Sequence, residues 1–266
     1  MLTCYQDLIK QASTVIASKG IPQEKEAPTV LDAVYTSPLL GNEEKTLVRL
    51  LAEAQAVIGA GTETTGNTLS VFTYHVLARP SILQRLKAEL ADGAVDRTGS
   101  SELMEYRTLE RLPYLQACVK EALRLATGVS SRLPRVNRTA STTYTTSTGR
   151  SYTFAPNTVI SMSILDLHYN EEIFTDCATF NPDRWLKNGE ARLQRMERAF
   201  VPFGRGARQC IGLDLAKQEI TLMTGNLFHQ FNLELFGTTA RDVSIVHDYF
   251  APWGPDDSKG VRIVAK

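Results

Sequence analysis

From Asn42 to Ala78 the chain contains no proline, and its helical patterning over that stretch predicts a single long helix. Asn42 offers a capping side chain, and Glu43 and Glu44 place acids in the first turn, where the helix dipole favours them. About 36 residues at 1.5 Å each make a rod on the order of 54 Å long. A rod of that length crosses a whole domain, so the fold around it is expected to be mainly helical.

The rest of the chain follows that expectation. Leu2, Tyr5, Leu8, Ile9, Ala12, Val15 and Ile16 recur at spacings of three and four, the helical period, and residues 20–28 (GIPQEKEAP) break it. Pro80 is expected to end the long helix, residues 82–90 to form an amphipathic helix closed by Asp92-Gly93, and residues 114–125 to form a third. Past Gly128, Thr and Ser crowd residues 132–148, and the alternation around Tyr144, Tyr152 and Phe154 predicts short strands and turns. Helical patterning is expected to resume only after Cys210, and residues 233–235 and 261–264 read as strands. There is no internal repeat or obvious linker, so residues 1–266 are expected to form one domain, mainly α with small β-sheets.

The chain carries 29 Lys+Arg against 29 Asp+Glu, and 43% of its residues are hydrophobic. That balance excludes disorder, collagen-like repetition and a polycationic nucleic-acid coat. No run reaches the roughly 18 apolar residues of a membrane span, and MLTCYQDLIK lacks the layout of a signal peptide. As written the chain reads as soluble and cytoplasmic, with no membrane anchor. Cys4, Cys118, Cys177 and Cys210 form no CxxC pair, which favours a reducing compartment over a disulfide framework or a structural zinc site.

Three segments carry chemistry. The first lies inside the long helix, where Gly59, Ala60, Gly61, Thr62, Glu63, Thr64, Thr65, Gly66 and Asn67 stack weak helix formers. Each Gly costs about 1 kcal/mol relative to Ala there, and Thr turns its hydroxyl onto the preceding turn. Either a close helix crossing or a functional kink accounts for them. Glu63 beside Thr64 favours the kink, since an acid and an alcohol next to an opened groove can relay protons.

The second segment is Phe203 through Gly212 (FGRGARQCIG), two glycines and two arginines leading to one cysteine before a helix. Helix N-terminus and cations both favour thiolate, which makes Cys210 a nucleophile or a metal ligand. His75, His168, His229 and His247 form no recognisable motif with it. A metal held by one protein thiolate takes its other ligands from a macrocycle, which points to haem iron with an axial cysteine. Glycines let such a loop pass close beneath a flat ring, and Arg208 would reach a propionate. The rival reading, a phosphate cradle, lacks the Lys-Ser/Thr that should follow the glycines and a clear strand before them.

The third element is Glu121 and Arg124, on one helix face at i, i+3. Alone they read as a surface ion pair worth little. If Arg184, in Phe180-Asn181-Pro182-Asp183-Arg184-Trp185, packs back on them, they become a buried network, costly unless complete.

Together these segments resemble the cytochrome P-450 superfamily, the haem-thiolate monooxygenases, with the texture of its fungal, microsomal-type branch. The resemblance runs from about Glu43 to the C-terminus through four motifs in the family's order: residues 60–65 (AGTETT), 121–124 (EALR), 180–185 (FNPDRW) and 203–212. It implies haem b with Cys210 as axial iron ligand, Phe203 packed beside the cysteine, and Gly204, Arg208 and Gly212 in the cofactor-binding loop. Ala60 and Gly61 would lie along the haem, and Glu63 and Thr64 would steer protons to bound dioxygen. Arg135 would bind a propionate, and residues 127–133 would face substrate. Glu121, Arg124 and Arg184 would lock the segment that supports the cysteine loop, and His168 would be a packed structural histidine. The implied reaction inserts one oxygen atom of O2 into an apolar organic substrate, in fungal secondary metabolism. Electrons would come from an NADPH-dependent flavoprotein reductase, and full-length relatives sit on the cytosolic face of the endoplasmic reticulum.

The resemblance covers only the C-terminal half of the family's domain, so the second expectation is a catalytically inactive truncated fragment that at most binds haem or a partner. Arg184, Lys187, Arg192, Arg195, Arg198 and Arg205, offset by Glu190 and Glu197, read either as a basic face that steers an acidic flavoprotein or as an ordinary solvated loop.

Overall fold

The computed structural model describes residues 2–21, 27–94 and 103–266. By its contacts the chain divides into two compact units, residues up to Glu63 and Thr64–Lys266. The first contains α1 (Leu2–Ala17), α2 (Val30–Thr36) and the opening turns of α3 (Leu47–Leu77). Its small core is Leu8, Ala12 and Val15 of α1, Leu31 of α2, and Leu50 and Ala54 of α3. Thr29 and Asp32 cap α2 reciprocally: the Thr29 hydroxyl accepts from the Asp32 amide at 3.2 Å, and the Asp32 carboxylate accepts from the Thr29 amide at 2.7 Å.

In the second unit α3 continues into α4 (Pro80–Ala94), α5 (Tyr106–Leu109) and α6 (Pro113–Ala126). Strands β1 (Arg135–Val136), β2 (Thr142–Thr145), β3 (Ser151–Phe154) and β4 (Val159–Ile160) come next, followed by α7 (Ile164–His168), α8 (Glu190–Ala199) and α9 (Leu213–Gln230). β5 (Leu233–Leu235), β6 (His247–Tyr249), β7 (Ala251–Trp253) and β8 (Ile263–Ala265) close the chain. The strands form four antiparallel pairs, β1 with β4, β2 with β3, β5 with β8 and β6 with β7. Tyr144 stands opposite Tyr152 and Leu233 opposite Ala265, so the predicted strands pair with one another.

The core of this unit is helical. Phe72 and Val76 of α3, Leu86 and Leu90 of α4, Leu115 and Ala122 of α6, and Ile220 and Phe228 of α9 are buried together. The Phe72 and Phe228 rings meet edge to face at 5.5 Å. At Gly225 of α9 a Cβ would stand 2.6 Å from a methyl of the fully buried Leu109, so this glycine permits the close approach of α9 to α5.

Several boundaries differ from the sequence reading. The long helix begins at Leu47, after a 3₁₀ turn over Asn42–Glu44, and its cap is Thr46, whose hydroxyl accepts from the Arg49 amide at 3.3 Å. Pro80 opens α4, and Asp92-Gly93 lies within that helix. Residues 59–67 are α-helical without interruption. Helical structure also returns before Cys210, in α7 and α8. The charged sequence of α8 buries only Met196 and Ala199, which leaves a weak apolar stripe to read. The expected break over residues 20–28 lies partly outside the described residues.

Candidate functional site

The site rests on a closed ion network at the base of α6. Both oxygens of Glu121 are fully engaged: Arg124 donates to them at 3.1 and 2.8 Å, Arg184 at 2.9 Å, the Trp185 indole N–H at 2.9 Å and the Asn181 amide at 3.1 Å. Glu121 and Arg124 are fully buried and Arg184 nearly so. The remaining guanidinium donors end on backbone carbonyls. Arg124 donates to His168 O at 2.7 Å, and Arg184 to Thr175 O at 2.8 Å and Asp176 O at 3.2 Å. A buried ion cluster is costly unless its charges and polar atoms find partners, and here each guanidinium nitrogen and both carboxylate oxygens have at least one. The network pins residues 168–185 to α6. It also removes Arg184 from the expected basic face, where Lys187 pairs with Asp183 at 3.0 Å and Arg195 with Glu172 at 3.8 Å.

His168 carries the connection one step further. It is fully buried, with its ring stacked on Phe200 at 5.8 Å. Its Nδ1–H donates to Arg124 O at 2.9 Å, and its Nε2 accepts from the Val201 amide at 3.1 Å. These partners fix the neutral tautomer, and burial drives its pKa down from the ordinary 6.5 to about 4.

Val201 opens the cysteine loop, which α8 precedes where a phosphate cradle would want a strand. The Gly204 amide donates to Val201 O at 2.9 Å and the Cys210 amide to Phe203 O at 2.9 Å, so the loop closes back on Phe203 just ahead of α9. Gly204 and Gly206 take positive φ, 68° and 79°, a conformation that favours glycine. Arg205 is tied to α8 by a 2.8 Å bond to Glu197 O, and Arg208 is exposed. The Cys210 side chain is exposed, whereas Cys118 and Cys177 are buried, and burial drives both of their thiols above the usual range.

Two further elements face this loop. A groove of about 730 Å³ brings Arg135, Val136, Ile160 and Met162 opposite Gly204 and Arg205. At Gly128 a Cβ would lie 3.8 Å from both the Pro202 carbonyl and the Thr64 side chain, so the loop after α6 passes between α3 and the cysteine loop. Asn67 of α3 donates to Ala126 O at 3.1 Å beside this passage. Of the sequence-predicted residues, Thr64, Arg135, Phe203, Gly204, Arg208, Cys210, Gly212, Glu121, Arg124 and Arg184 belong to this unit. Ala60, Gly61 and Glu63 lie exposed on α3 in the first unit.

The sequence reading missed the donors Trp185 and Asn181, the strut formed by His168 and Val201, and the bonding of Ser130 and Ser131 to Asp248. Trp185 and Asn181 stand inside a motif that was already noted. For the others the signal is three-dimensional.

The fold is mainly helical, and of Cys118, Cys177 and Cys210 only the last is exposed, on a glycine-bent loop braced by the buried Glu-Arg-Arg network. The Cytochrome P450 family description matches residues 4–245, and the chain belongs to that family, the haem-thiolate monooxygenases. It is 38% identical to N-acetyltryptophan 6-hydroxylase of Emericella nidulans, over 88% of this chain and 44% of that protein. It is 40% identical to cytochrome P450 monooxygenase MO6277 of Ascocoryne sarcoides, over 100% of this chain and 49% of that protein. With fusicoccadiene C-8 hydroxylase of Alternaria brassicicola it shares 36% identity, over 91% of this chain and 44% of that protein. The chain thus spans about half the length of these relatives. The fold is similar to that of retinoic acid-bound cyanobacterial CYP120A1, with a TM-score of 0.71 and 22% identity over 97% of this chain and 55% of that one.

The residues present fit an iron macrocycle. Cys118 and Cys177 are buried and Cys210 is exposed, so among these three the Cys210 thiol is the donor on offer. A Cβ at Gly212 would stand 4.0 Å from that sulfur, so residue 212 borders the thiol. Ile211, next to Cys210 in the chain, is fully exposed, and Leu215 in the first turn of α9 is exposed. Among the described residues no helix is long and apolar enough to cross a membrane.

Proposed function

We propose that residues 1–266 form part of a single haem-dependent monooxygenase domain, with haem b held by Cys210 and one atom of O2 inserted into an apolar organic substrate. The observation that carries this reading is the exposed Cys210 thiol on a loop closed by its own amide onto the Phe203 carbonyl. Bound haem would supply the activation of dioxygen. Cys210 would hold the metal and donate electron density to it, with Gly212 bordering the sulfur. Phe203 would pack beside the cysteine, and Arg135 and Arg208 would offer guanidiniums to the haem carboxylates. Ala60 and Gly61, by their place in the motif of residues 60–65, would be the small residues that leave room for the haem. Glu63 and Thr64 hold and pass protons from an acid through an alcohol.

Electrons come from an NADPH-dependent flavoprotein reductase, for which Arg192, Arg198 and Arg205 are the remaining cations of the cysteine-loop face. The substrate class, by likeness to the fungal hydroxylases, is a secondary metabolite with an apolar frame.

The test is the spectrum of the expressed chain after haem is added, reduced and exposed to carbon monoxide. A thiolate-type, red-shifted Soret band is expected, and its absence, or a neutral-thiol band, overturns the reading. The exposed Ile211 and Leu215 favour a second reading, haem or partner binding without turnover, because oxygen activation needs a site closed to water. Haem uptake with no substrate-dependent NADPH consumption in the presence of reductase would select it.

A further inference from the structure

We propose that Asn67 is a positioning residue. By bonding the last carbonyl of α6 it sets where Thr64, one turn earlier on α3, stands against the loop after α6, and so how well the Thr64 hydroxyl delivers a proton. The inference rests on the haem reading above. Asn suits a helix interior poorly, because its side chain competes for backbone partners, yet Asn67 lies well inside α3. Its Nδ2–H donates to another helix altogether, to Ala126 O at 3.1 Å, 59 residues on.

Ala126 is the final residue of α6, and the last carbonyls of a helix have no partner within it. Side chains meet them here. Arg124 O accepts from His168 Nδ1–H at 2.9 Å and from the Thr127 hydroxyl at 3.1 Å, Leu125 O from the Tyr169 hydroxyl at 3.3 Å, and Ala126 O from Asn67. Of these donors it is Asn67 that brings in α3. The turn it borders is a strained one. Thr127 is fully buried with a φ of 46°, a left-handed conformation that a β-branched residue adopts only when its surroundings impose it.

Thr64 and Asn67 stand at i, i+3 and share a face of α3. A Cβ at Gly128 would lie 3.8 Å from the Thr64 side chain and 3.8 Å from the Pro202 carbonyl. The chain leaving Thr127 therefore runs between Thr64 and the segment that leads to Cys210. Around Thr64 the helix is soft. The Thr68 hydroxyl donates to Thr64 O at 2.9 Å, a bond that loosens the backbone ladder, and Gly61 and Gly66 weaken the same stretch by about 1 kcal/mol each. A helix of this kind takes its local course from tertiary ties, and Asn67 supplies one three residues from Thr64.

The test has two arms. In the haem-free full chain, hydrogen exchange over residues 124–130 is expected to quicken about fivefold in Asn67→Leu, which keeps the bulk and removes the donor. Asn67→Gln, which keeps an amide, is expected to stay within about twofold. In the haem-loaded, reduced chain the probe is carbon monoxide, whose infrared stretch responds to polar groups beside it. Thr64→Ala is expected to move that stretch, Asn67→Leu to move it in the same direction by less, and Asn67→Gln to return it. Unchanged exchange in Asn67→Leu overturns the inference whether or not haem binds. A stretch that Asn67→Leu leaves in place, even with a lowered unfolding midpoint, reduces Asn67 to a structural bond and overturns it too, as does a stretch that Asn67→Gln fails to return or that Thr64→Ala does not move. An unsubstituted chain that takes up no haem overturns the haem reading and this inference with it, and quickened exchange in Asn67→Leu then marks that failure as one of haem binding and not of the tie.

Discussion

His168 accepts the Val201 amide at Nε2 over 3.1 Å while its Nδ1–H is spent on the Arg124 carbonyl. The ring is therefore a neutral strut between the end of α6 and the first residue of the cysteine loop, and a proton on Nε2 would break its link to the loop. The folded-state pKa of His168 is about 4 against an ordinary 6.5, and burial lowers that of His75 to about 3. Below pH 6.5 the unfolded chain takes up protons that the folded chain refuses. The stability that these rings contribute is whole above 6.5, declines as pH falls, and is lost for His168 once pH passes its folded value near 4. Thermal unfolding between pH 7 and pH 4 should show a falling midpoint, and His168→Asn should lower the midpoint at pH 7 while flattening the slope. An equal slope in the variant would show that other groups set it.

Glu121→Gln leaves two buried guanidiniums facing a neutral amide that cannot accept all five donors. The expected loss is about 3–5 kcal/mol, the cost of breaking a buried ion pair from one side, read by urea unfolding. Because the Trp185 indole donates to the same carboxylate, its fluorescence should shift in the folded variant. A loss below about 1 kcal/mol, the size of an exposed pair, would contradict the network's closure.

Gly225→Ala drives a methyl into the buried Leu109 side chain, 2.6 Å away before relaxation. Overpacking of this kind costs about 1–3 kcal/mol. Leu109→Val should relieve part of it, so a double-mutant cycle should show coupling above about 0.5 kcal/mol. Strict additivity would mean that α5 and α9 do not meet there in solution.

Cys210→Ala should abolish the thiolate-type carbon monoxide band, while Cys118→Ala, which removes a buried thiol on α6, should retain it. Thr64→Ala should keep haem and its band yet uncouple electron consumption from product. Unchanged coupling would count against Thr64 as a proton carrier.

The sequence disclosed a good deal of this. α6 was legible because its apolar residues mark one face cleanly, and the cysteine loop because glycines, arginines and a lone cysteine together have few physical uses. α8 was not, since Leu193, Met196 and Ala199 make too thin a stripe among charges. Asn42 and Thr46 are both competent caps, and local sequence does not choose between them. The glycines of residues 59–66 suggested a close crossing or a kink, yet the tight approach occurs at Gly225, where the decisive partner, Leu109, is remote in sequence. His168 was read correctly as packed, but its hold on Val201 is a matter of three-dimensional placement, as is Asp248 reaching Ser130.

The closed accounting at Glu121 also constrains descent. Two guanidiniums, an indole and a main-chain amide share its two oxygens, so exchanging Glu121, Arg124, Arg184 or Trp185 passes through a chain that carries an unmatched buried charge, donor or acceptor. Single-step mutational paths out of this arrangement cross a stability valley. The four positions are expected to change together or not at all, whereas residues outside the network are free of that coupling.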